Sequence, residues 1–275
     1  MPDAPIDHEV QLPSGARTRV RDIPGPPGAP VVLLLHGLGA TGRLNWGRCY
    51  RALSERFRVL SVDHRGHGSG LRTRRFRLAD CADDAVQIAE ARGVTRFIAV
   101  GYSMGGPIAS LTWHRHRDRV SGLVLCATSR HFAAPEFAPF ARIGMGFAAA
   151  ATRLLPGRAH TRMLNRMLRQ IEQPAMRNRV MEELAGHDPA TIVQAAGALA
   201  RFSSHDWIGE VDVPTAVVVT TLDEMVSPSR QYKLAEAIPN ARVFEVDGDH
   251  SACVSHPGFA PTLTRACQFS CGDGR

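Results

Sequence analysis

Lysine is nearly absent from this chain of 275 residues: of its 33 basic residues, all but Lys233 are arginine. Aromatic residues are sparse as well, and no apolar run approaches the ~20 residues that a membrane-spanning helix needs. The longest runs, around Val31 to Leu35 and Val217 to Val219, are strand-sized. The opening Met1-Pro2-Asp3-Ala4-Pro5-Ile6-Asp7 lacks a basic start followed by an apolar stretch, so no secretory signal is read and a cytoplasmic protein without a membrane segment is expected. The six cysteines are even in number, yet in a chain of this length without a signal they read as reduced and structural. Cys267-x-x-x-Cys271 has no second ligand pair, so no zinc site is expected, and nothing in the pattern asks for another metal or a cofactor. The net charge of +7 is spread over scattered arginines, dense only at Arg72-Thr73-Arg74-Arg75 and from Arg153 to Arg179. No nucleic-acid-binding module accompanies that charge, and nucleic acid is not an expected partner.

What is present is an alternation of strand-like and helix-like segments from about residue 31 onward. That pattern specifies α/β architecture with a mostly parallel sheet covered by helices on both faces. The strands are read at Val31 to Leu35, Arg58 to Val62, Arg96 to Val100, Val120 to Ala127, Thr215 to Thr221 and Ala241 to Val246. A hairpin at the sheet edge is expected from His8 to Leu12 and Arg17 to Asp22 around Pro13-Ser14-Gly15. Helices are read at Leu78 to Arg92, Pro107 to His116, Ser229 to Ile238 and Pro257 to Gln268. Between Ser129 and His205 no convincing strand appears, only helix-like pieces at Ala159 to Ile171, Pro174 to Gly186 and Asp188 to Phe202. This segment is read as a helical cap over residues 129–205, inserted into a core formed by residues 1–128 and 206–275.

The polar landmarks fall just after strands, where open α/β sheets bind their ligands. Gly101-Tyr102-Ser103-Met104-Gly105 sits between an apolar strand and a helix, the setting of a nucleophile elbow. A serine at the tip of such a turn requires small neighbours two residues to either side, and Gly101 and Gly105 supply them. Its hydroxyl needs a base, and the base needs an orienting acid. Both types follow the last two strands, Asp223 after Thr215 to Thr221 and His250 after Ala241 to Val246. Glu224, one residue later, is the alternative acid, and Asp247 and Asp249 read as turn residues.

With His36-Gly37-Leu38-Gly39 after the first central strand, Asp63-His64-Arg65-Gly66-His67-Gly68-Ser69 after the second, and the order Ser103, Asp223, His250, the chain resembles capped enzymes of the α/β-hydrolase fold over nearly its full length. The resemblance implies Ser103 as nucleophile, His250 as general base, Asp223 as its orienter, and the backbone N–H groups of Leu38 and Met104 as an oxyanion hole. It implies no cofactor and no metal. A serine at the elbow disfavours the dehalogenase and epoxide hydrolase branches, whose nucleophile is aspartate, and Tyr102 disfavours carbon–carbon bond hydrolases. Cleavage of a small to medium, lipophilic carboxylic ester is expected, with a lactone, a thioester, perhydrolase chemistry and a slow-turnover small-molecule receptor as alternatives. Candidate substrate contacts are His36, Tyr102, Phe140, Met145, Met225 and Val226. His36 is also read as holding its loop by hydrogen bonds, Arg65 as anchoring its turn, and His64, His67, His114 and His116 as surface or turn residues. The expected partner is a small ester or lactone, and the expected assembly is a monomer or homodimer.

Overall fold

The computed structural model describes residues 6–132 and 186–272. Eight strands form one sheet: β1 (Ile6–Gln11), β2 (Arg17–Ile23), β3 (Val31–Leu35), β4 (Arg58–Val62), β5 (Phe97–Tyr102), β6 (Val120–Cys126), β7 (Thr215–Thr220) and β8 (Arg242–Val246), in the order β1-β2-β4-β3-β5-β6-β7-β8. The first two pair as the antiparallel edge hairpin, β2 runs antiparallel to β4, and β3 to β8 are parallel. Helices over the described residues are α1 (Gly42–Trp46), α2 (Tyr50–Ser54), α3 (Leu78–Ala91), α4 (Gly105–Arg115), α5 (Pro189–Ala200), α6 (Pro228–Glu236), α7 (Ala252–Ser255) and α8 (Phe259–Ser270).

The central strands are apolar throughout because both faces of the sheet are covered. Along β3, Leu33 and Leu35 join the core beneath α3, α4 and α6, whereas Val32 and Leu34 join the core against α1, α2 and α8. Each such fully buried side chain contributes roughly 1.5–3 kcal/mol of burial free energy. The sequence passes from β3 outward to β4 and then returns to the far side of β3 as β5. The crevice above β3 and β5 is therefore the switch point at which α/β sheets place ligands.

Two short helices, α1 and α2, were not expected, since five residues are too few to display an apolar period. The expected helix Pro257 to Gln268 begins later, at Phe259, and is preceded by the separate turn of α7. Proline at 257 and glycine at 258 punctuate the chain between them. Of the expected cap, Ala159 to Ile171 lies outside the described residues, as does Pro174 to Gly186 except for its last residue, while Asp188 to Phe202 is found as α5. The Asp188 carboxylate caps α5 by accepting from the Ala190 and Thr191 amides. α5 is fastened to the turn after β4: Asp188 N donates to Gly66 O at 2.9 Å, and Phe76 N donates to Gln194 Oε1 at 2.9 Å. The chain leaving β6 meets the chain approaching β7 in a short stem, where His131 bridges Ser203 and Ser204 N donates to Arg130 O at 2.9 Å.

Candidate active site

Ser103 stands between β5 and α4 with φ at 51°, a left-handed conformation that costs a residue with a Cβ roughly 1–2 kcal/mol. The turn is held from three sides. Ser103 N donates to Cys126 O at 2.9 Å, and Ser103 O accepts from Gly106 N at 2.9 Å and from Thr128 Oγ1 at 2.8 Å. The flanking glycines are steric requirements: a Cβ on Gly101 would lie 2.1 Å from Gly105 O, and one on Gly105 would lie 2.0 Å from Leu35 O. Strain at a residue pinned so completely is the signature of a functional turn.

The imidazole of His250 closes onto this serine, with Nε2 3.0 Å from Ser103 Oγ and Nδ1 2.7 Å from Asp223 Oδ2. Asp223 is buried and accepts on both oxygens. Oδ1 takes the amides of Met225 and Val226, each at 2.9 Å; Oδ2 also takes Thr220 Oγ1 at 2.8 Å and Gln231 Nε2 at 3.3 Å. Burial by itself raises the pKa of this carboxyl, but the hydrogen bonds from His250 and the Val226 amide outweigh it and hold Asp223 below the usual carboxylate range. An ionised Asp223 accepts the Nδ1 proton, which leaves Nε2 to accept from the serine hydroxyl. Glu224 is exposed and points to no such partner; Asp249 accepts from Ser251 N and Oγ within its own turn.

Above β3, Gly37 lies against the nucleophile: a Cβ there would sit 3.4 Å from Ser103 Cβ. His36 accepts the His64 amide at Nε2 (3.0 Å), so its proton resides on Nδ1 and is donated to Gly37 O at 2.7 Å. Among the described residues, the backbone N–H groups of Leu38 and Met104 donate to no protein acceptor. An unused donor is suited to a developing negative charge; Leu38 follows Gly37, which packs on Ser103, and Met104 follows Ser103 in the chain.

Several expected contacts are placed differently. His36 is wholly buried, and burial pushes its pKa down to about 4, so it is a neutral loop anchor and not a substrate contact. Tyr102 is 2% exposed, with its hydroxyl donated to His250 O at 2.8 Å on the core side of the histidine loop. Val226 is 4% exposed and serves through its backbone, whereas Met225 is 74% exposed. Phe140 and Met145 lie outside the described residues. His64 and His67 are buried instead of at the surface: the His64 ring lies against His36 (centroids 4.3 Å apart), and His187 lies beside the His67 ring (5.2 Å), with Thr191 against Gly66. Arg65 does anchor its turn, through Asp84 at 2.5 and 2.8 Å. Gln231 and Thr220, which brace Asp223, were not singled out from the sequence; the only signal was a polar residue on the buried face of α6.

A model of the alpha/beta hydrolase fold matches residues 30–257. The chain is an α/β hydrolase. A pimeloyl-[acyl-carrier protein] methyl ester esterase of Chromobacterium violaceum is 30% identical to this hydrolase over 232 residues, 82% of this chain and 89% of that protein. Among solved structures, the enol-lactonase from Burkholderia xenovorans LB400 superposes with a TM-score of 0.75 at 23% identity, covering 94% of this chain and 98% of the other. A thermophilic esterase from Thermogutta terrifontis gives 0.76 at 24% identity, over 95% and 96%. At those identities the superpositions speak to the fold. Relatives of this hydrolase are named hydrolases and esterases, and it is an enzyme of the esterase type. Among the described residues, no helix is long and apolar enough to cross a membrane, and no cluster of three or more His, Cys, Asp or Glu side chains is arranged to hold a metal ion.

Proposed function

We propose that this α/β hydrolase cleaves small to medium carboxylic esters with a lipophilic acyl group, through an acyl-enzyme formed on Ser103. The observation that carries the reading is the unbroken relay from Ser103 Oγ through His250 to the buried, ionised Asp223. Ser103 Oγ bonds to the ester carbonyl carbon as its proton passes to His250 Nε2. The Leu38 and Met104 amides receive the tetrahedral oxyanion, a donor pair of which each member supplies ~2.7–4 kcal/mol in comparable sites. His250 then gives its proton to the departing alcohol and takes one from water; the resulting hydroxide attacks the acyl carbon, the bond from that carbon to Ser103 Oγ breaks, and His250 returns the proton to Oγ, releasing the acid and restoring Ser103. The exposed Met225 beside the acid loop offers an apolar surface at the mouth, and the segment 129–205 is the proposed cap over it.

The test is hydrolysis of a panel of acyl esters from short to long chain, with one simple lactone and one thioester, by wild type and Ser103→Ala. Sustained Ser103-dependent turnover that is fastest on an ester supports the proposal. Preference for the lactone or thioester moves the substrate class, and stoichiometric labelling of Ser103 without turnover overturns the enzyme reading in favour of a receptor.

A further inference from the structure

Asn45 lies in α1, away from the relay, yet its buried side chain reaches both loops that the relay depends on. Its Oδ1 accepts the Gly37 amide at 2.9 Å, and its Nδ2 donates to Cys253 Sγ at 3.1 Å. The amide orientation is unambiguous, because Gly37 N–H can only donate and must face the oxygen. Cys253 belongs to α7, three residues beyond His250. Asn45 thus joins Gly37 of the loop after β3 to Cys253 of the histidine loop, and Tyr102 separately donates to the backbone of His250.

The other end bears on the oxyanion donor. Gly37 O and Leu38 N–H share one trans peptide plane and point in opposite directions. His36 holds Gly37 O in that plane, and Asn45 holds Gly37 N in the plane before it, so both peptide planes flanking Gly37, which otherwise has the freest backbone of any residue, are clamped. We propose that Asn45 is a positioning residue, which ties the oxyanion loop to the histidine loop and keeps the Leu38 amide aimed at the carbonyl under attack by Ser103. This rests on the serine hydrolase reading above, and it assigns a role to a residue outside the Ser103, Asp223, His250 set.

The experiment compares wild type, Asn45→Ala, Cys253→Ala and Cys253→Ser on an ester that wild type turns over, together with inhibition by an alkyl boronic acid, which forms a tetrahedral adduct on serine. An interaction realised in the transition state lowers kcat with little change in KM. Asn45→Ala is expected to lose about 10- to 100-fold in kcat with KM within about threefold, and to weaken boronate binding by a similar factor. Cys253→Ser, which keeps an acceptor, stays near wild type, and Cys253→Ala falls several-fold. Asn45→Ala with wild-type kcat and an intact thermal transition overturns the inference; so does a loss carried by KM with boronate affinity unchanged. If Asn45→Ala fails to fold, the cysteine pair decides, and equal kcat for Cys253→Ser and Cys253→Ala overturns it. Wild type that neither turns over nor is labelled at Ser103 by a fluorophosphonate overturns the hydrolase reading, and this inference with it.

Discussion

Replacing Asp223 by asparagine changes one atom, and the surrounding hydrogen bonds dictate how the new side chain must sit. Oδ1 accepts two backbone amides at 2.9 Å that cannot turn away, whereas Oδ2 accepts from the rotatable Thr220 hydroxyl at 2.8 Å and from Gln231 Nε2 at a longer 3.3 Å, so the asparagine oxygen takes the backbone side; the reverse placement sets an NH₂ against two fixed N–H donors and forfeits both bonds. At roughly 1–2 kcal/mol per lost bond to a buried amide, the reverse orientation is populated at the per cent level or below. The NH₂ therefore faces His250 Nδ1 across what was a 2.7 Å contact, and the ring must accept there and carry its proton on Nε2. That tautomer donates to Ser103 Oγ and cannot take its proton. The expected loss in kcat is about 10⁴-fold, equivalent to ~5.5 kcal/mol, with the fold retained. Steady-state hydrolysis of a p-nitrophenyl ester measures it, and circular dichroism confirms the fold. A kcat within tenfold of wild type would refute the tautomer argument, and a comparable collapse in Glu224→Gln would show that the wrong carboxylate had been identified.

Ser103→Gly and Ser103→Ala should both be inactive, but glycine relieves the left-handed strain at φ 51°, so Ser103→Gly is expected to be more stable than Ser103→Ala by about 1 kcal/mol in urea unfolding. Asp22 is buried between Arg58 (2.6 and 3.0 Å) and Arg92 (2.9 Å); burial raises its pKa, but the two guanidinium groups overcome this and hold it below the ordinary value. A carboxyl with a lowered folded pKa stabilises above its unfolded value, near pH 4, and that contribution disappears as pH falls through the folded value. Asp22→Asn should accordingly cost about 2 kcal/mol at pH 7 and flatten the decline in stability below about pH 4, as read from denaturant midpoints across pH. Burial pushes the Cys253 thiol up to about 12 and also raises Cys49, Cys81, Cys126 and Cys267, whereas Cys271 is only half-buried. Native protein at pH 8 should therefore titrate with Ellman's reagent at Cys271 alone, and reaction of all six thiols without denaturant would contradict the packing.

The sheet and the relay were legible because local composition carries them. Continuous apolar runs such as Val31 to Leu35 can only be strands covered on both faces, and each ends in a polar landmark whose type declares its chemistry. Residues whose environment is assembled across the sequence were not legible. His64 and His67 sit among turn-forming neighbours, and the rings that bury them come from elsewhere in the chain: His36 against His64, and His187, more than a hundred residues away, against His67. Tyr102 precedes the nucleophile and reads as a substrate contact, but strand alternation sends its side chain to the face opposite Ser103, under the histidine loop. Asn45 gives no signal at all in a helix of five residues, because its meaning lies in Gly37 and Cys253, eight positions away on one side and 208 on the other.

The stem at His131 and Ser203 gives the insertion a single point of entry and exit between β6 and β7. To the sheet, everything beyond that stem is one closed loop, and the entropy of closing a loop grows only with the logarithm of its length, by about 0.6 kcal/mol per doubling. Residues 133–185 can thus change in number at little cost to the parallel strands, provided the stem and the contacts of α5 with the turn after β4 are kept. A scaffold arranged in this way lets the chemistry stay fixed while the choice of substrate drifts.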